Sequence, residues 1–345
     1  MASWLLRLVA LAPLALLAGL ATSPVPAQVA RSRTYTFCFW NVENFFDDRP
    51  NPKLEKVDRE FDEWYARDPD VLKHKLERIG DVLLSRDLNG GNGPDILALA
   101  EIESQRAVEL IRDELNGRIR DKNLHYRHLA YRDPQGGRSI ATALLSRVPL
   151  VGTPRLLGRN LRILETRIGE DKHTLTIVAS HWTSRVSDKT GRGRSGYARL
   201  IYDEFYSLYR KDPLVDFLVC GDFNDTPTDD SLVNDLGSVG DVKKILSLAK
   251  GDKPQLFNPF EALARKGKGT HFFGERPFVF DQIVLSPGLL DGEGWSYVNN
   301  SAIIVEKMQF RGRPDRFGGP ADRRPWRNRG ASDHFPVLIQ LRVNR

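Results

Sequence analysis

The sequence predicts a layered α/β fold in a single domain. Short strand-like segments alternate with amphipathic helix patterns along the 345 residues, and no Ser-, Pro- or Gly-rich linker divides them. Apolar residues make up 41% of the chain, which is enough to form a large core. No repeat of solenoid length recurs, and no heptad pattern persists. We therefore expect sheets that are covered by helices.

The predicted strands are short, rich in β-branched, aromatic or Leu residues, and bounded by turn formers. They lie at 35–40, 95–100, 140–146, 174–180, 215–220, 278–285 and 336–342. The first predicted helix covers 70–86, with an apolar face of Leu72, Leu76, Ile79, Val82 and Leu83. A second helix is predicted over 105–116, after a capping Ser104, and a third over 196–210.

Residues 1–27 are predicted to be a secretory signal peptide. Arg7 precedes an apolar run from Leu8 to Leu20, and the small residues Val25 and Ala27 stand where signal peptidase cleaves. The alternative is an uncleaved anchor, although the run is shorter than the roughly 20 residues that span a bilayer. We therefore expect an exported protein, periplasmic or secreted, with no stable membrane insertion after cleavage.

The two cysteines, Cys38 and Cys220, both lie in apolar strand-like segments. Buried free thiols are the expected state, and a single disulfide is the alternative, because sequence alone does not bring the two Cα atoms together. Neither cysteine has the spacing of a zinc site. Two cysteines in 345 residues also exclude a disulfide-based scaffold.

Polar residues suited to a metal or a phosphate follow nearly every predicted strand. Separately, each has an ordinary explanation as a surface carboxylate, a turn or a core histidine. Together, carboxylate, amide and imidazole groups are what a magnesium-type cation and a phosphate require. The segments are Asn41-Val-Glu43-Asn44, Glu101-Ile-Glu103, His181-Trp182, Gly221-Asp222-Phe-Asn224-Asp225, Asp281 and Ser332-Asp333-His334.

In this order, the motifs resemble the endonuclease/exonuclease/phosphatase superfamily, the DNase I-like fold, over residues 34–343. The opening motif and His-Trp-Thr-Ser-Arg further resemble a bacterial exported branch. The resemblance implies a four-layered α/β sandwich, with two mainly antiparallel sheets packed face to face and helices outside. The motifs are Trp40-Asn-Val-Glu-Asn-Phe-Phe-Asp47, Asp95-Ile-Leu-Ala-Leu-Ala-Glu101, Ala143-Leu-Leu-Ser146, Ser180-His-Trp182, Gly221-Asp-Phe-Asn-Asp225, Phe280-Asp-Gln-Ile283 and Ser332-Asp-His334.

The resemblance also implies a role for each site residue. The metal ligands for Mg²⁺ or Mn²⁺ would be Asn41, Glu43, Glu101 and Asp333, with Glu101 the principal one. The catalytic residues would be His181, Asp222, Asn224, Asp281 and His334. Asp222 and Asn224 would position or deprotonate the attacking water, the two histidines would bind phosphoryl oxygens, and Asp281 would orient His334.

Two positions depart from the family pattern. Ala141 stands in Arg138-Ser-Ile-Ala141-Thr-Ala-Leu-Leu145, where relatives carry an acidic residue that could orient a catalytic group. His271 stands in Gly269-Thr-His271, where relatives have Tyr. His271 is a candidate phosphate contact, with an exposed loop histidine as the alternative. Because the main carboxylates and both catalytic histidines are present, we expect an active hydrolase.

The predicted loops are basic. Residues 311–329 contain seven Arg and two Asp, and Arg185, Lys189, Arg192 and Arg194 follow the His181 strand. Such clusters attract the phosphates of nucleic acid, although solvated loops remain the alternative. The candidate substrate-binding residues are Arg185, Arg192, Arg194, Trp182 and His271.

The sequence thus predicts an exported, metal-dependent phosphodiesterase, a nuclease for DNA or RNA that works as a monomer. Other phosphoesters are alternatives, through a phosphatase or a sphingomyelinase-like lipid phosphodiesterase. A lipid enzyme requires exposed apolar groups near the site, and the candidates Phe272, Phe273 and Phe278 are expected in the core. A noncatalytic nucleic-acid or surface-binding module is the alternative from a different class.

Overall fold

The computed structural model describes residues 32–51, 54, 56–134, 137–158, 161–248 and 251–343. The predicted signal peptide lies outside these residues. The described helices are α1 (Lys56–Arg67), α2 (Pro69–Leu83), α3 (Gln105–Arg118), α4 (Arg192–Tyr209), α5 (Val242–Leu248) and α6 (Phe260–Arg265). None of them combines the length and the apolar character that crossing a bilayer requires.

Eighteen strands are present among these residues. They are β1 (Arg33–Phe45), β2 (Ile96–Ile102), β3 (His128–Tyr131), β4 (Ala141–Ser146), β5 (Arg155–Leu156), β6 (Ile163–Glu170), β7 (His173–His181), β8 (Phe217–Asp222), β9 (Ser238–Val239), β10 (Leu256–Phe257), β11 (His271–Phe273), β12 (Arg276–Phe278), β13 (Asp281–Leu285), β14 (Trp295–Tyr297), β15 (Ile303–Ile304), β16 (Gln309–Phe310), β17 (Arg313–Pro314) and β18 (Val337–Val343).

Two large sheets pack face to face. The first has the order β14-β18-β1-β2-β4-β3, with β15 beside β18, and the second has the order β5-β6-β7-β8-β13-β10-β9. Most neighbours are antiparallel, while β1 with β2, β7 with β8 and β9 with β10 are parallel. Phe37 and Phe39 of the first sheet belong to the same buried cluster as Ile177 and Ile283 of the second. This cluster is the core between the sheets.

Each sheet is covered on its outer face by helices. A second buried cluster joins the other face of β1, including Trp40, to α2 and α3. A third packs Phe205 of α4 against Phe217 of β8. The four layers confirm the predicted sandwich of two mainly antiparallel sheets with helices outside.

Two of the predicted elements need correction, and some observed elements were not predicted. The predicted strand 278–285 is interrupted at Val279 and Phe280, so that Asp281 begins β13. Helix α1 and strand β6 were not predicted. The predicted helix 70–86 ends at Leu83, where the Leu84 N–H bonds back to Gly80 O. Both cysteines are free buried thiols, as expected.

Candidate active site

Backbone pairing brings the predicted site residues to one end of the two sheets. In the second sheet, Asp222 of β8 pairs with His181 of β7 on one side and with Asp281 of β13 on the other. In the first sheet, Asn41 of β1 pairs with Ala100 of β2, and Glu101 is the residue that follows Ala100. Asp333 and His334 precede β18. The ends of these strands therefore form one cluster across the two sheets.

Asp222 stands at the centre of this cluster. Its Oδ2 accepts a hydrogen bond from Asn41 Nδ2 at 3.0 Å and lies 3.7 Å from His181 Nε2 and 3.8 Å from His334 Nε2. Asn41 Nδ2 also donates to Glu101 Oε1 at 3.2 Å. The amide of Asn41 thus connects a carboxylate of the first sheet to one of the second.

The backbone around this cluster is strained. Glu43, Asn44, Glu101 and Asn224 all have φ between 45° and 63°, in the left-handed region that non-glycine residues rarely adopt. Such strain costs roughly 1–3 kcal/mol per residue, and it persists where the surrounding contacts enforce it. At Glu101 the enforcing contact is the Asn44 N–H, which donates to Oε2 at 2.7 Å.

His334 is held by a carboxylate. Its Nδ1 lies 2.7 Å from Asp281 Oδ2, and both residues are buried. Burial alone would lower the pKa of His334, but the charges of Asp281 and Asp222 raise it well above the ordinary value. These charges favour the protonated form of His334, whose Nε2 lies 3.8 Å from Asp222 Oδ2.

His181 has the opposite protonation. Burial, followed by the positive charges of Arg162, His334 and Arg138, lowers its pKa well below the ordinary value. Its buried Nδ1 has no hydrogen-bond partner among the described residues. The side chain of Ala141 is a methyl group and offers no hydrogen-bond acceptor. Nothing in the described structure therefore orients the His181 ring as Asp281 orients His334.

Asn224 is fixed by two contacts. Its backbone N–H donates to Asp222 Oδ1 at 3.0 Å, and its Nδ2 donates to Trp182 O at 3.1 Å. The side chain of Trp182 is fully buried, with its ring centroid 4.5 Å from that of Phe223. The predicted contact of Trp182 with substrate is therefore not compatible with the structure, because its indole ring lies in the core.

Glu43 lies apart from Glu101. Its carboxylate accepts from Arg316 Nε at 3.2 Å and from Phe317 N at 2.7 Å. Burial and the nearby charge of Asp333 raise its pKa to about 7. In the described structure Glu43 therefore holds the arginine-rich segment that precedes β18, and its predicted role as a metal ligand stays a prediction.

Asp333 lies next to both His271 and His334, and these three groups offer ligand atoms within 4.8 Å of one another. Its burial would raise its pKa, but His334, His271, Arg316 and Lys75 lower it. His271 is not a simple exposed loop residue. Its Nδ1 lies 3.1 Å from Asp333 O, and its ring packs 4.5 Å from that of His334.

The three predicted arginines have different environments. Arg194 is buried and its Nε lies 2.8 Å from Asp225 Oδ2, so its predicted contact with substrate is not compatible with the structure. Arg185 donates to Asn224 O at 2.9 Å and pairs with Asp225 at 3.0 Å, which fixes the Asn224 loop. Arg192, the first residue of α4, is exposed.

Lys75 is a site residue that the sequence interpretation missed. Its buried ammonium donates to Val42 O and Ala331 O, both at 2.6 Å, and to Glu43 O at 3.1 Å. One side chain thus joins the segment after Asn41 to the segment before Asp333. The sequence feature that could have indicated its burial is its position on the apolar face of α2, three residues after Leu72 and four before Ile79.

The donor set fits a hard divalent cation. Glu101 and Asp333 offer carboxylate oxygens, and the Glu101 side chain is 15% exposed, against 3% for Asp222. The amide of Asn41 faces Glu101 with its Nδ2, while its Oδ1 accepts from Glu43 N at 3.0 Å. Burial and the negative charge of Asp281 raise the pKa of Asp222 to about 7, against the lowering effect of His334. A bound cation would stabilise the ionised form of these carboxylates.

Comparisons with known proteins agree with this geometry. A family model described as "Endonuclease/Exonuclease/phosphatase family" matches residues 36–343. The chain belongs to this family. Family membership makes it a hydrolase of the phosphodiesterase type, which acts on phosphoric esters. No curated protein sequence matches the chain.

Several solved structures share the fold at low sequence identity. Caenorhabditis elegans TDP2 is 16% identical with a TM-score of 0.51, covering 89% of this chain and 97% of its own. Staphylococcus aureus beta toxin, solved with bound magnesium ions, is 12% identical with a TM-score of 0.51, covering 89% and 99%. A Bacteroides thetaiotaomicron family protein is 16% identical with a TM-score of 0.50, covering 91% and 99%.

Proposed function

We propose that the family enzyme is a divalent-metal-dependent nuclease that hydrolyses DNA or RNA phosphodiester bonds by in-line attack of water. The supporting observation is the environment of Asp222 Oδ2, which lies 3.0 Å from Asn41 Nδ2 and 3.7 and 3.8 Å from two imidazole nitrogens. A general base and two phosphate-binding groups are thereby gathered around one point.

Each residue has a defined task in this mechanism. Asp222 accepts the proton of the attacking water, and Asn224, fixed by Trp182 O, orients that water or the phosphate. The imidazolium of His334, oriented by Asp281, and the Nε2–H of neutral His181 donate to non-bridging phosphoryl oxygens.

Glu101 and Asn41, with Asp333, would hold Mg²⁺ or Mn²⁺, which neutralises phosphoryl charge and supports the leaving oxygen. The beta toxin that shares the fold carries magnesium ions. No covalent intermediate is required, because water is the nucleophile.

The surroundings of the site favour a polyanionic substrate. A cleft of about 580 Å³ opens beside Asp333 and is lined by Arg311, Arg313, Arg316 and Arg324. Arginines at this density attract nucleic-acid phosphates, whereas a monoester phosphatase needs to hold only one phosphate. The formal net charge of the chain, +6, also favours association with a polyanion.

A lipid phosphodiesterase is the second candidate. Phe273 is 46% exposed and Phe310 is 52% exposed, in the two hairpins beside the site. The expectation that Phe273 lies in the core was therefore wrong, and an exposed aromatic near the site is what a lipid enzyme requires.

The test is hydrolysis of plasmid DNA, RNA, bis-p-nitrophenyl phosphate, p-nitrophenyl phosphate and sphingomyelin, with Mg²⁺, Mn²⁺ or EDTA. We expect metal-dependent cleavage of nucleic acid and of the small diester, lost in Glu101→Ala and Asp222→Asn. The exposed Glu60→Ala of α1 is the matched control and should retain activity. Turnover of sphingomyelin or of a monoester alone would refute the nuclease proposal.

We also propose export, from the signal-like sequence of residues 1–27. The measurement is N-terminal sequencing of the protein recovered outside the cytoplasm. Export predicts that the mature chain begins at Gln28, and an intact Met1 on a cytoplasmic protein would contradict it.

A further inference from the structure

Two hairpins form the walls of the cleft beside the active site. The β11–β12 hairpin contributes Phe273, and the β16–β17 hairpin contributes Phe310 and Arg313, with Arg311 in its turn. His271 and Asp333 lie on the same cleft. Because His271 packs against His334, a ligand in the cleft lies directly beside the catalytic histidine.

Phe273 presents a fixed aromatic surface. Its ring makes edge contacts with His271 at 5.0 Å and Phe278 at 5.5 Å between centroids, while 46% of the residue remains exposed. Packing on its neighbours restricts the ring, so little conformational entropy is lost when another ring stacks on it. An aromatic ring fixed beside a catalytic site is a platform for a flat ligand.

Arg311 and Arg313 are available to an anion. Within the described residues, Arg311 has no acidic partner, and Arg313 lies 3.7 Å from Glu275, which is itself 95% exposed. Other arginines of the same segment are engaged in structure. Arg324 bonds Asp315 at 2.7 Å, and the buried Arg329 donates to Phe317 O and Gly319 O.

The arginines also distinguish nucleic acid from a lipid surface. The guanidinium carbons of Arg311 and Arg324 lie 5.2 and 5.4 Å from the centroid of the Phe310 ring. Insertion of Phe310 into a bilayer would carry both cations toward hydrocarbon, which is costly. Aromatic rings interleaved with arginines are instead typical of single-stranded nucleic-acid sites.

From these contacts we infer that the cleft binds single-stranded nucleic acid, with an unpaired base stacked on Phe273 and neighbouring phosphates on Arg311 and Arg313. The inference rests on the proposed nuclease function and adds a preference for unpaired substrate. Bases in a duplex are already stacked on one another and do not offer a free face, so Phe273 selects against paired strands.

The test measures fluorescence anisotropy of a labelled oligonucleotide about 12 nucleotides long, single-stranded or as a blunt duplex, with the chain from Gln28 in EDTA. We expect the single strand to bind more tightly. Phe273→Ala should weaken single-strand binding by about tenfold, because one base loses its stacking partner. Phe273→Trp should restore that binding, and duplex affinity should change little in either variant.

The arginines are tested through salt dependence. The double variant Arg311→Ala/Arg313→Ala should reduce the slope of log affinity against log salt by about 1.4 for the single strand. Arg210→Ala, an exposed arginine at the end of α4, is the matched control and should leave the slope unchanged. Thermal unfolding of each variant checks that the fold is intact.

Equal affinity for both substrates, or an unchanged preference in Phe273→Ala, would overturn the inference. Phe273-dependent binding to phosphatidylcholine vesicles without binding to the oligonucleotide would also overturn it, in favour of a lipid surface. Hydrolysis of bis-p-nitrophenyl phosphate by the unmodified chain separates these failures from failure of the proposed function. If the small diester and nucleic acid are both cut without preference for single strands, the single-strand inference is refuted and the proposed nuclease function stands.

Discussion

His181 and His334 approach the same oxygen of Asp222 with opposite protonation. His334 gains a proton because Asp281 and Asp222 outweigh its burial, whereas His181 loses its proton because burial and Arg162 act in the same direction. The same carboxylate oxygen therefore lies near one ring that favours its protonated form and one that favours its neutral form. The difference comes from the neighbours of each ring.

Substitution of Asp281 by Asn tests this arrangement. Loss of the carboxylate charge lowers the pKa of His334, so the imidazolium is lost at a lower pH than in the unmodified enzyme. We expect hydrolysis to fall by about 10- to 100-fold and the alkaline limit of the pH–rate profile to move to lower pH. A uniform loss with an unchanged profile would show that Asp281 does not act through the charge of His334.

Substitution of Lys75 by Met tests the buried ammonium. The change leaves three buried carbonyl oxygens without their donor and removes one of the two cations, Lys75 and Arg316, that lower the pKa of Glu43. We expect a loss of about 3 kcal/mol in the free energy of unfolding, measured with urea. Lys73→Met, whose side chain is 75% exposed on the same helix, should change stability by less than about 0.5 kcal/mol.

The site residues were predictable where they lie at the ends of predicted strands. Asn41, Glu101, Asp222 and His334 stand in local motifs, and pairing of the strands brings them together. Trp182 follows a strand equally closely, but its side chain points into the core. Sequence adjacency fixes where a residue lies along the chain, while the side of the sheet it faces depends on packing.

At the level of elements, α1 shows why a helix can be missed. Its buried face carries Asp58 and Asp62 in place of an apolar stripe. Asp58 accepts from Arg138 Nε at 2.7 Å and from Ser139 N at 2.8 Å. These hydrogen-bond partners of Asp58 lie about 80 positions further along the sequence, so no local sequence pattern indicates them.

The contact between α1 and Arg138 reaches the site, because Arg138 Nη2 also donates to Asn44 Oδ1 at 2.6 Å. Asp58→Ala removes the carboxylate partner of the Arg138 guanidinium. We expect the free energy of unfolding, measured by chemical unfolding, to fall by about 3 kcal/mol. Glu60→Ala on the exposed side of α1 is the control. Equal stability of both variants would show that the Asp58 contact contributes nothing net.

Strand β6 was missed for a related reason. Glu165 is buried in this strand and bonds Arg155 at 2.6 Å and Arg167 at 3.2 Å. These ion pairs place charged residues where the alternation rule expects apolar ones. The strands of mainly apolar sequence, such as β2 and β8, were predicted to within two residues. Their apolar residues in the sequence are also their buried residues in the structure.

On the scale of the whole molecule, stability should depend on pH through Asp216. Burial raises its pKa to about 7, and its Oδ2 accepts from Trp295 N at 3.0 Å. The folded protein thus holds a proton that the unfolded chain releases above about pH 4, so stability should fall as pH rises toward 7.

Asp216→Asn removes this dependence and keeps an oxygen acceptor for Trp295. We expect the variant to be more stable than the unmodified protein at pH 8, by about 1–2 kcal/mol after allowance for partial exposure, and equal to it near pH 4. Chemical unfolding at both pH values is the measurement. The exposed Asp203→Asn of α4 should show no such gain, and a gain at pH 4 would contradict the assignment.

The position of β18 has a consequence for the time at which activity first arises. This strand lies between β14 and β1, and it pairs Val343 with Arg33. On the ribosome, β1 emerges long before its partner exists, and His334 reaches Asp222 only when the residues around β18 have been synthesised. A nascent chain therefore carries Glu101 and Asp222 without His334, and under the proposed roles of these residues we expect hydrolysis to begin only after translation has passed β18.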